Sequence, residues 1–155
     1  GSIKMHMPIG IMVKAKNSED AQGSIEGALD YLVGDGRPFD SYGEVMEVEK
    51  YLPEGGRGKE LVDERFEDNK IEFMDHIKVI REAFKKCTDE ELYAKDFGDR
   101  MFRWHCYHAG EYGGNSCWLY SEYGSGLRTP QEFDDSLDTL EEGENYYIVV
   151  VDVQC

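Results

Sequence analysis

The segment "NYYIVVVDVQ", Asn145 to Gln154, is apolar at every position from Tyr146 to Val151. Successive side chains of a strand point to opposite faces, so such a run is apolar on both and belongs in the middle of a sheet. It is far shorter than a membrane-crossing helix. A chain that carries it has to supply neighbouring strands, and three other segments qualify. "PIGIMVKAK" alternates Ile9, Ile11, Val13 and Ala15. "SYGEVMEVEKYL" puts Met46 and Val48 on one face and Glu47 and Glu49 on the other. "NSCWLYSEYG" is rich in aromatics and runs into a turn at "YGSG".

Helical patterns fill the gaps between them. In "NSEDAQGSIEGALDYLVG", Asn17 or Ser18 can cap, Gly34 can close, and Ala21, Ile25, Ala28, Leu29 and Leu32 form one stripe. Gly23 and Gly27 weaken that helix and allow close packing on a sheet. About Lys59 to Lys86 is the clearest helix, striped by Phe66, Phe73, Ile77, Ile80 and Phe84, with Lys85 and Lys86 at the end where the dipole favours them. His76 lies beside that stripe and reads as a surface or boundary histidine. A capping pair, Thr88 and Glu91, opens a further helix whose face carries Tyr93, Phe97, Met101, Trp104 and His108 as far as Gly110. Thr129, Pro130 and Glu132 start a short helix that Gly143 ends, with Phe133, Leu137 and Leu140 facing inward.

The order strand, helix, strand, long helix, helix, strand, short helix, strand predicts an α+β fold. It would hold a small, mostly antiparallel sheet of about four strands, with helices packed mainly on one face. The chain's 155 residues suit a single domain, expected over residues 7–155. The opening "GSIKMHM" reads as a vector remnant over residues 1–6, with a native start at Met5 or Met7. No charged-then-apolar leader opens the chain, so a cytoplasmic location is expected. Four cysteines are too few and too unevenly spaced for a disulfide framework and are expected to be reduced.

The formal net charge is −16, and it is uneven. Residues 1–18 carry +3, whereas residues 19–54 hold ten acids against Arg37 and Lys50. Residues 59–86 are nearly balanced, and from Trp104 onward ten acids face one base, Arg128. Seven of the fourteen residues from Gln131 to Glu144 are acidic and none is basic. A surface of this kind repels nucleic acid and anionic lipid and attracts basic partners. Direct nucleic-acid binding and membrane association are therefore not expected. General solubility explains the same charge and stands as the alternative to a functional acidic face.

The segment "WHCYHAGEYGGNSCW", Trp104 to Trp118, concentrates the reactive residue types. His105, Cys106, His108 and Cys117 have the right atoms for zinc, but the paired spacing of structural zinc sites is missing. On a helix, residues 106 and 108 point about 200° apart. Cys106 falls at a helix C-terminus, where the dipole does not lower a thiol pKa. No G-x-S-x-G elbow is present, and "PEGGRGK" fails as a phosphate loop because Pro53 and Glu60 occupy positions that need glycine and Ser or Thr. The plain expectation is a helix end, a glycine turn and the start of a strand. If a pocket exists there, Trp104, His108, Tyr112 and Trp118 would line it.

"CYHAGEYGGNSCWLYSEYGSGLRTPQEF" followed by "NYYIVVVDVQ" resembles the C-terminal half of small uncharacterised acidic proteins of phages and prophages. The resemblance lies in a short "WLYD"-type strand, a turn, an "R-x-P" helix start and a final "V-V-x-D-V" strand. It covers about the last third of the chain and brings no catalytic motif. It implies an accessory gene of a mobile element, many of which block a host protein. The resulting expectation is a non-enzymatic inhibitor that mimics nucleic acid and occupies a basic, nucleic-acid-binding host protein. Its contact surface would be Asp134, Asp135, Asp138, Glu141 and Glu142 together with Glu44, Glu47 and Glu49. The alternatives are a small zinc-binding or Cys/His enzyme domain built on residues 105–117, and a homodimer joined through exposed aromatics.

Overall fold

The computed structural model describes residues 5–94, 102–110 and 117–155. They form β1 (His6–Ala15), α1 (Ser18–Gly23), α2 (Glu26–Leu32), β2 (Ser41–Tyr51), α3 (Arg57–Lys86), α4 (Asp89–Ala94), α5 (Phe102–Gly110), β3 (Leu119–Ser121), α6 (Pro130–Asp135) and β4 (Asn145–Gln154). The four strands make one sheet in the order β2-β4-β1-β3. β4 pairs antiparallel with β1 and β2, and β1 pairs parallel with β3. The fold is α+β with a mostly antiparallel four-stranded sheet. Among the described residues, no helix is long and apolar enough to cross a membrane.

β4 is central, as its doubly apolar run requires. Ten residue pairs join it to β1, from His6 opposite Gln154 to Ala15 opposite Asn145. Odd-numbered residues of both strands meet on one face: Ile9 faces Val151, Ile11 faces Val149 and Val13 faces Tyr147. Over this face lie Ala21, Ile25, Ala28, Leu29 and Leu32 of the α1–α2 segment, and together they form the main buried cluster. The opposite face carries Met12 with Ile148 and Gly10 with Val150. Gly10 leaves the space that the Trp118 ring fills, since a Cβ there would lie 2.9 Å from the ring.

Several expected elements are shorter or broken. The helix expected from Asn17 to Gly34 is two helices. Asn17 caps the first, and Ser24 ends it by turning its hydroxyl back onto the Asp20 carbonyl at 2.7 Å. The helix expected to reach Gly143 stops at Asp135. Ser136 bonds the Phe133 carbonyl at 2.6 Å, and acidic residues without a base at a C-terminus oppose the helix dipole. Leu137 and Leu140, expected inward, are each 37% exposed. β2 bulges between Val45 and Glu47, so Val45 and Val48 pack on the core and Met46 points out. β3 shrinks to three residues. Phe97 and Met101 of the expected fourth helix lie outside the described residues.

By contacts, the described residues group into two compact units. A sheet unit holds residues 1–64 and 117–155, and a helical unit holds residues 65–116. In the sheet unit β1 begins at His6, and Met5 exchanges two backbone hydrogen bonds with Cys155. In the helical unit Phe84 meets Phe102 edge to face at 5.8 Å.

The start of α3 is built on Gly58, which is buried against β2. A Cβ at Gly58 would press on the Lys50 carbonyl group, whose carbon is 2.9 Å away, and on the Tyr51 Cα at 3.1 Å. Backbone on both sides leaves no flexible group to yield. Gly58→Ala is expected to lower unfolding stability by about 2 kcal/mol or more. Gly23→Ala, where nothing lies within 4 Å, is expected to raise it by about 0.5 kcal/mol. Urea denaturation of both variants checks the pair, and equal effects would contradict this packing.

Candidate functional site

The charge is concentrated on one unit. The sheet unit holds 22 acidic and 8 basic residues, and the helical unit holds 11 and 9. Nearly all of the net charge of −16 therefore sits on the sheet unit. Asp134, Asp135, Asp138, Glu141 and Glu142 are exposed, as is Glu44. Glu47 and Glu49 are half-buried on the edge strand β2. Glu47 accepts a hydrogen bond from Arg57 Nε at 3.0 Å, so its charge is locally matched. Burial, and then the neighbouring Glu47, push the Glu49 carboxyl above its ordinary pKa. The exposed acidic surface of the sequence reading is thus carried by residues 134–142 and Glu44.

Asp135, Ser136 and Asp138 border an open cleft of about 420 Å³ on the second face of the sheet. Its lining includes buried Met12, Leu127 and Tyr146. Glu122 and Tyr123 come from the turn after β3, and Asp135 and Asp138 from the end of α6 and the segment beyond it. Tyr146 fixes the backbone of Asp138. Its hydroxyl donates to the Asp138 carbonyl at 3.1 Å and accepts from the Asp138 N–H. Lys14 Nζ lies 3.6 Å from Asp138 Oδ2. Burial works to lower the Lys14 pKa, but Asp138, Glu122 and Tyr146 outweigh it and hold the ammonium above its ordinary range. Glu122 likewise raises the pKa of the Tyr123 hydroxyl.

The sequence names Asp135 and Asp138 for an acidic contact face, not for a cleft, and gives no sign of Lys14, Glu122, Tyr123 and Tyr146 as their neighbours. The β1 alternation does set Met12 and Lys14 apart from Ile11 and Val13. Nothing in the alternation shows that α6 crosses that end of the sheet.

The reactive residues of the 104–118 segment divide between the units. Cys117 is 3% exposed in the core of the sheet unit, where its thiol donates to the Leu119 carbonyl at 2.9 Å. Burial raises its pKa, which disfavours both nucleophile and ligand roles. Trp118 is buried on the opposite face of the sheet, over Gly10, and Tyr112 lies outside the described residues. None of the four cysteines forms a disulfide. Cys106 is exposed on α5, in the helical unit. There, His105 and His108 meet His76 of α3, which its position beside the helical stripe marks only as a surface or boundary histidine. His76 Nδ1 and His105 Nδ1 are 2.9 Å apart, His108 stacks on His76 at 5.7 Å, and Trp104 lies 4.1 Å from His108. Among the described residues, no group of three or more His, Cys, Asp or Glu side chains could hold a metal ion.

Residues 42–155 match the family model described as "Domain of unknown function (DUF7995)". The chain belongs to this family. The DUF7995 span holds the helical unit and every cleft residue named above except Met12 and Lys14. No curated protein and no solved structure matches the chain.

The histidine cluster makes a pH prediction. The His76–His105 contact needs one donor and one acceptor nitrogen, so both rings cannot be protonated within it. Burial, followed by His76 and His108, holds the His105 pKa below 6.5. A depressed imidazole pKa means the unfolded chain takes up the proton first. Stability from this group is therefore complete above pH 6.5 and is lost as pH falls below it. Thermal unfolding followed by helical circular dichroism between about pH 7 and 5 should show a flatter slope for His105→Asn than for the parent chain. Identical slopes would contradict the cluster.

Proposed function

We propose that this DUF7995 chain is a non-enzymatic binding protein that acts by covering the basic, nucleic-acid-binding surface of a partner. We further propose that it is an inhibitor of phage or prophage type, working in the cytoplasm on a host protein. The observation that carries the binding reading is the scarcity of bases on the sheet unit: 22 acids against 8 bases there, beside 11 and 9 on the helical unit. The exposed carboxylates of residues 134–142 follow each other along one short segment, as phosphates do along a nucleic-acid strand. Lys14 is the one basic side chain paired with any of them in a salt bridge among the described residues. Such charges steer and orient a basic partner more than they hold it, so the association should be rapid and strongly salt-dependent.

The test is joint neutralisation of Asp134, Asp135, Asp138, Glu141 and Glu142 to their amides. These residues are exposed, so the fold should be retained. At low ionic strength the affinity for a basic DNA-binding protein should fall about tenfold or more, from several rim charges of about 0.2–1 kcal/mol each. The difference should shrink as salt shortens the screening length. Unchanged affinity at low salt would contradict the proposal.

A further inference from the structure

The second face of the sheet unit adds something that a merely acidic surface lacks, which is a recess. The cleft of about 420 Å³ has buried apolar groups in its lining, and its charge is one-sided. Glu122, Glu132, Asp135 and Asp138 supply four carboxylates against the single ammonium of Lys14. Tyr123, 68% exposed, presents an aromatic ring from the same turn as Glu122. A site of this make-up excludes anions. It also suits poorly a compact, strongly hydrated ammonium, which gains little from apolar walls. The group that matches it has an aliphatic stem, a flat weakly hydrated cation that can lie on an aromatic ring, and several donors for carboxylates around its edge.

We infer that this cleft is a receptor for an arginine side chain presented by the basic partner. The guanidinium would lie against Tyr123 and donate to Glu122 and Asp138, while its stem covers Met12 and Leu127. Lys14 then has a second role. Its ammonium sits 3.6 Å from Asp138 and competes with the incoming guanidinium for that carboxylate. This inference rests on the proposed function, in which the partner is basic, and adds which basic side chain is read and where.

The test uses hexa-arginine and hexalysine peptides, equal in charge, titrated into the full chain at low salt. Hexa-arginine should bind at least about threefold tighter, and amide shifts should centre on Lys14, Tyr123, Leu127 and Asp138. The double variant Glu122→Gln, Tyr123→Ala should bring hexa-arginine down to the lysine level while leaving hexalysine within about twofold. Lys14→Gln should tighten hexa-arginine by about threefold, a gain that misfolding cannot imitate. If both peptides bind equally and the cleft variants move them alike, the cleft inference fails and the acidic-surface proposal stands. If neither peptide binds at low salt, both fail.

Discussion

The sheet unit depends on the pairing of β4 with a partner strand along each of its edges. Tyr146 to Val151 can be buried on both faces only if β1 and β2 take up its backbone groups, because unpaired buried amides cost more than the side chains gain. That constraint puts the two long strands on either side of β4 and leaves β3, three residues long, to extend the outer edge of β1. It also sets two faces of different character. One is closed by the small and branched residues of α1 and α2. The other is closed in part by Trp118 lying on Gly10 and is left open at the end where Lys14 and Tyr146 emerge.

The candidate site follows from this second face. Lys14 and Tyr146 are cross-strand partners, so both project to the side where α6 has just ended. The early end of α6 is what frees Asp138 to meet them. Had the helix continued to Gly143, its backbone bonds would have bypassed the Tyr146 hydroxyl. Electrostatics and topology therefore act together: acidic residues end the helix, the released segment wraps to the sheet, and its carboxylates border a recess.

The sheet was legible because β strands advertise themselves by alternation and by β-branched content, and β4 by a run that has no other stable home. α3 was legible from its stripe, and the α6 start from Thr129, Pro130 and Glu132. What stayed hidden were the places where a side chain overrides a periodic pattern. Ser24 and Ser136 each divert a backbone carbonyl, and a bulge at Val45–Glu47 sends Met46 outward. The uneven charge was legible segment by segment, but not that the base-poor segments before and after the long helix join in one unit, since that needs the chain returned from Cys117 onto β1. His76 stayed hidden for a related reason. Its partners, His105 and His108, are about thirty residues away, and helical spacing carries no information across two helices.

The central claim is that the acidic sheet unit competes with nucleic acid for a basic protein surface. The most direct measurement is capture by the purified chain from host lysate, at low salt, with and without excess duplex DNA. The account predicts that a basic nucleic-acid-binding protein is retained, and that either DNA or raised salt releases it. Retained proteins indifferent to DNA and salt, or retention of no basic protein at low salt, would contradict it.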